Sequence, residues 1–136
     1  MTEHLFDAIE ACQEELVALR RDLHAHPELA FQEERTAGIV EARLKSAGLE
    51  VRTGLARTGV VGVLRGGRPG RTVLIRADMD ALPIQEASEA PYRSRIPGCM
   101  HACGHDGHTA IAVVLAEILS ERRAEMAGTL VFAFQP

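Results

Sequence analysis

The chain has 136 residues, 46% hydrophobic and 25% charged, with a formal net charge of −4 at pH 7. That length is enough for one domain with a buried core, and the composition excludes a disordered chain. Acids and bases are interspersed without a basic block, which argues against a nucleic-acid partner, and the longest apolar stretch, 109–116, is too short to cross a bilayer.

Leu5, Ile9, Cys12, Leu16, Leu19 and Leu23 recur at steps of three and four, which predicts one N-terminal helix with a single apolar stripe. Cys12 falls on that stripe and is expected in the core, while His4 at the terminus is expected to be idle. Glu3 and Asp7 in this helical pattern do not resemble a signal peptide, and three cysteines are an odd number for a secreted disulfide framework. A cytoplasmic setting is the expectation. Pro27 stops the helix and forces His26 out of helical geometry; His24 and His26 are expected to serve the last helical carbonyls. A second helix is predicted over 33–47, with Glu33 and Glu34 as a solvated first turn and Gly48 as the C-terminal cap.

The period then shortens. Segments 50–55, 60–64 and 72–77 are β-branched, bounded by glycine and predicted as strands, and 65–70 reads as a hairpin loop between the last two. A long Pro-, Gly-, Ser- and His-rich segment, 86–107, precedes a third helix carrying Ile111, Val114, Leu115, Ile118 and Leu119, and 129–134 reads as a buried strand. Strands interleaved with helices predict an α/β sandwich around a largely parallel sheet, with chemistry beyond the carboxyl ends of the strands.

Two polar clusters lie in such positions. Asp78 and Asp80 follow an apolar strand at a spacing of two, which puts both carboxylates on one face of extended backbone. They read either as a solvated turn or as groups that bind a hard cation, orient a histidine or tune a base. His101, Cys103, His105, Asp106 and His108 fall within eight residues, and all are donor types that suit zinc or a similar ion. Cys103 and His105 converge only on turning backbone, which Gly104 and Gly107 permit, with the helix starting just beyond. Asp106 and His108 then stand as partners behind the ligands, or Asp106 as a helix cap. Two ligands hold a metal weakly, so further donors are required.

Arg21-Asp22-Leu23-His24-Ala25-His26-Pro27-Glu28-Leu29 resembles the opening signature of the M20 metallopeptidase family. The resemblance is to the branch of hippurate hydrolases, N-acyl-L-amino acid amidohydrolases and auxin-conjugate hydrolases. Segments 76–83 and 100–109 are similar to that branch's next two signatures, in the same order.

The resemblance implies a three-layer sandwich of helices around a mostly parallel, mixed sheet. Residues 1–136 would form the N-terminal part of the catalytic domain, incomplete at its C-terminal end and without the lid domain. It implies two divalent ions (Zn, Mn, Ni or Co), with Cys103 bridging them, His105 binding one, and Asp80 orienting a ligand and supporting catalysis. His101, Asp78, Asp106 and His108 are the weaker candidates. The general base would be a glutamate following the segment that ends in Gln135-Pro136, so none is expected in this chain, which would be inactive alone. The implied substrates are N-acyl amino acids or short peptides, and complete relatives would dimerise through the lid domain. A non-catalytic metal-binding scaffold and a thiol redox protein using Cys99 and Cys103 are the other function classes considered.

Overall fold

The computed structural model describes residues 2–136, with side chains described from residue 5. The His4 side chain therefore lies outside the described residues. The first amphipathic run forms two helices, α1 (Thr2–Ala11) and α2 (Gln13–Ala25), interrupted at Cys12, which is partly buried against the core. Leu19 and Leu23 are buried as the stripe predicts, whereas Ile9 is exposed. His26 leaves helical geometry at φ −127°, ψ 59°, as expected of a residue before proline.

Helix α3 (Glu34–Ser46) is capped from outside by Glu28, whose carboxylate accepts from the Arg35 and Thr36 amides at 2.9 and 2.8 Å. This satisfies amides that the helix itself leaves without partners. Glu33, expected to be solvated, is fully buried, and one of its oxygens accepts from Thr58 Oγ1 at 2.5 Å.

Strands β1 (Glu50–Leu55), β2 (Gly59–Arg65), β3 (Arg68–Asp78) and β4 (Ala127–Gln135) make one sheet in the order β1-β2-β4-β3. The sheet is mixed, as expected, but only β3–β4 is parallel; β1–β2 and β2–β4 are antiparallel. The expected hairpin between β2 and β3 does not form, because β4 inserts between them. The glycine loop 65–70 instead packs on the backbone entering β4: the Gly66 amide donates to Gly128 O, and a Cβ at Gly66 would come within 2.6 Å of Met126 O. Parallel β3 and β4 are joined through α4 (His105–Glu121) and a 3-10 turn (Arg123–Glu125).

Val60, Leu64, Ala77, Phe132 and Phe134 share the sheet face that meets the helices, where they pack with Val40 and Leu44 of α3 and Val113 and Ala116 of α4. The alternate residues Val61, Val63, Leu74 and Val131 point to the other face and take no part in that core, and Leu74 is 64% exposed. Among the described residues the arrangement is thus two layers, one of helices on one of strands, and the third layer of the expected sandwich is not formed by them. No described helix is long and apolar enough to cross a membrane.

Candidate metal centre

The three signature segments meet at the carboxyl end of β3. The Ala81 amide donates to Glu28 O, which ties 76–83 to the end of the first signature, and Leu82 and Met100 exchange backbone bonds that tie it to the third. Thr109 Oγ1 donates to Asp78 O at 2.8 Å and seats the start of α4 on the strand end. Gly104, in left-handed geometry at φ +87°, turns the chain between Cys103 and His105. The helix begins at His105, earlier than the sequence predicts, so Gly107 lies within it and makes no turn. Gly104 occupies the cap position, and Asp106 is not the N-cap.

The two carboxylates spaced two apart, expected on one face of the chain, both approach the His105 imidazole. Asp80 Oδ1 accepts from His105 Nδ1 at 2.8 Å, and Asp78 Oδ2 stands 3.4 Å from His105 Nε2. A carboxylate on Nδ1 fixes the tautomer and leaves Nε2 as a free donor, the arrangement that orients metal-binding histidines. His108 Nδ1 donates to Asp78 Oδ1 at 2.6 Å, and its ring stacks on that of His105 with centroids 5.7 Å apart.

Asp78, His105 and His108 each offer a donor atom within 4.8 Å of the others. The set mixes carboxylate and imidazole, which suits a first-row divalent ion. Burial alone would raise the Asp78 carboxyl, but the bond from His108 and the nearby His105 and Arg76 outweigh it and hold it below its ordinary value. Asp78 is therefore anionic and ready to meet a cation. Cys103 is exposed and lies outside this close group.

The other face of the same turn is closed. Asp106 is 1% exposed and accepts from His24 Nδ1 at 2.7 Å and Arg20 Nε at 2.9 Å. His24 Nε2 meets Glu86 at 3.2 Å, so His24 does not serve a terminal helix carbonyl as expected; His26 does, through Asp22 O at 2.8 Å. Burial would raise the Glu86 carboxyl, yet bonds from Ser88, the Ser94 amide and His24 outweigh it and bring it down to about 2. His101 is buried with neither ring nitrogen hydrogen-bonded, and burial pushes it down to about 4. Sequence reasoning gave His24 a lesser role and missed Arg20 and Glu86. The only signal was His24's place inside the first signature, since its partners lie 62 and 82 residues away.

Cys12, Cys99 and Cys103 are free thiols. Cys99 is buried and its thiol pushed up by that burial, so it is a poor nucleophile beside exposed Cys103.

A βαβ unit with imidazoles and carboxylates gathered at its strand ends defines a candidate metal-binding α/β domain. The model of peptidase family M20/M25/M40 matches residues 74–136. The chain is 47% identical, over 98% of its length, to an N-acyl-L-amino acid amidohydrolase of Geobacillus stearothermophilus, and 47% identical over 89% to an N-acetylcysteine deacetylase of Bacillus subtilis. It covers 36% and 32% of those proteins, so the chain spans about a third of the length of the curated relatives it matches. A solved Bacillus subtilis structure, described as a dinuclear metal binding peptidase from the M20 family, superposes with a TM-score of 0.87 at 45% identity. That match covers 93% of this chain and 36% of the other.

Proposed function

We propose that this chain is the N-terminal part of the catalytic domain of a metal-dependent amidohydrolase that cleaves the amide bond of N-acyl amino acids. The observation that carries the reading is His105, held by Asp80 through Nδ1 while Nε2 faces the Asp78–His108 pair. On this reading His105 and Cys103 bind the metal ions, Asp80 orients His105, and Asp78 and His108 stand as additional donors. Two divalent ions of Zn, Mn, Ni or Co would supply Lewis-acid polarisation of the amide carbonyl and a lowered pKa for water.

The chain's own side chains do the rest of what is proposed. Asp80 locks the imidazole tautomer, and Asp78 supplies compensating negative charge. Neither is free to act as general base, since Asp80 is engaged by His105 and Asp78 by His108 and Arg76. The family resemblance implies that the base is a glutamate outside these residues. The names of the relatives support N-acyl amino acids as the substrate class. Free thiols fit a reducing, cytoplasmic compartment. Dimerisation through a lid domain would belong to the whole protein.

Hydrolysis of N-acetyl and N-benzoyl amino acids, followed with added Mn²⁺ or Zn²⁺, tests the division of labour. The 136-residue chain is expected to bind metal without turnover. Metal-dependent turnover by this chain that disappears in Cys103→Ala would overturn the assignment of the base. Absence of metal binding would overturn the metal-site reading itself.

A further inference from the structure

We propose that His24 is a positioning residue that sets the rotation of the first turn of α4, and with it the aim of His105 and His108, by bridging two buried carboxylates from distant segments. The inference rests on the metal-site reading only for what is being aimed.

The geometry of the turn carries the argument. His105 and His108 are three apart and share a helix face, while Asp106 between them projects elsewhere. Its Oδ2 is held from α2 by His24 Nδ1 at 2.7 Å and Arg20 Nε at 2.9 Å, and its Oδ1 accepts from the Gly107 amide at 2.9 Å. Two fixed contacts from α2 on a single carboxylate stop α4 from turning about its own axis. A rotation large enough to break them would carry His105 off Asp80 and His108 off Asp78.

His24 adds a third segment to this joint. Its Nε2 reaches Glu86 Oε1 at 3.2 Å, and Glu86 in turn accepts from Ser88 Oγ and the Ser94 amide. Ser94 Oγ donates to Cys99 O, and the Arg95 amide donates to Ala25 O beside His24. The loop that leads into residues 99–104 is thus fastened to the same histidine. Nδ1 faces Asp106 and Nε2 faces Glu86, and no other side chain of that shape replaces both contacts. The side chains of His24, Asp106 and Glu86 are 5%, 0% and 3% exposed, so water does not substitute for a lost partner.

Amide hydrogen exchange by NMR on the metal-free 136-residue chain tests this, together with Co²⁺ titration followed by absorption. In His24→Ala, exchange at amides 105–109 is expected to quicken at least about tenfold while β2 and β4 keep their protection, and Co²⁺ affinity to fall about 10- to 100-fold. His24→Gln, which donates one bond of the two, should recover part of both losses. Equal loss of protection across the sheet and α4, or unchanged Co²⁺ affinity despite a loosened turn, would overturn the positioning role. Should His24→Ala fail to fold, Glu86→Gln carries the test, because it keeps an acceptor oxygen while removing the charge; it should shift both readouts the same way by less. A wild-type chain that binds no Co²⁺ would overturn the metal reading, and the exchange pattern would still decide whether His24 fixes the turn.

Discussion

One turn of helix α4 presents two polar faces with opposite characters. On one face His105 and His108 meet Asp78 and Asp80, with the His108 side chain 59% exposed and the Asp80 side chain 24% exposed. On the other, Asp106 meets His24 and Arg20 with no exposure of its own side chain. The residue types are the same, histidine and aspartate with an arginine nearby. The open face leaves donor atoms available and its charges within reach of solvent, so it is suited to taking up a cation. On the closed face Asp106, His24 and Glu86 are buried and bonded to one another in series, so it fixes geometry. Burial, more than residue type, divides ligand from scaffold here.

That division predicts unequal costs for similar substitutions. Asp106→Ala should be the most damaging, because it strands His24 and Arg20 beside an empty buried space; a loss of about 3–5 kcal/mol in urea unfolding is expected. A loss under about 1 kcal/mol would erase the distinction between the faces.

Next in size is the pH dependence of the metal-free chain. His101, pushed down from 6.5 to about 4 by burial, is neutral in the folded state while the unfolded chain takes up a proton below its ordinary value. Its contribution is complete above pH 6.5 and is lost as pH falls towards 4, on the order of 3 kcal/mol. Glu86, held down from 4.5 to about 2, contributes above 4.5 and loses that contribution as pH falls towards 2. Unfolding midpoints should therefore decline through two adjoining windows, and His101→Phe should flatten only the upper one. A flat profile in wild type would contradict the burial of both groups.

The smallest effect on stability is expected on the open face. His108→Ala should change unfolding free energy by less than about 1 kcal/mol, since the His108 side chain is itself mostly exposed. Co²⁺ affinity, measured in the same variant, should still fall at least about tenfold. Stability lost without any change in metal affinity would reassign His108 to the scaffold.

Much of this arrangement is legible in the sequence because it depends on local pattern. The stop at Pro27, the turn at Gly104 and the strand running into Asp78 and Asp80 all follow from backbone rules acting over a few residues. The apolar run of 129–134 likewise marks a buried strand, and Phe132 and Phe134 are buried. Where that strand goes is another matter. β4 lies between β2 and β3, in the middle of the sheet, and leaves β1 and β3 as its edges. Pairing partners are set by which surfaces can be covered together, and no period along the chain encodes that choice.

The sequence by itself determined most element types, the family it resembles and the residues with chemistry to offer. Tertiary structure alone decided which carboxylate each histidine meets. His24 was expected to serve its own helix end, yet it is joined to Asp106 and Glu86; Glu33 was expected in solvent, yet it is buried against Thr58. In each case the partner lies 25 or more residues away. A buried charge must find its counterpart in whatever segment the fold brings beside it. The first turn of α4 shows the consequence: Asp106 and His108, two residues apart, came out as anchor and candidate donor because only one of them faces the core.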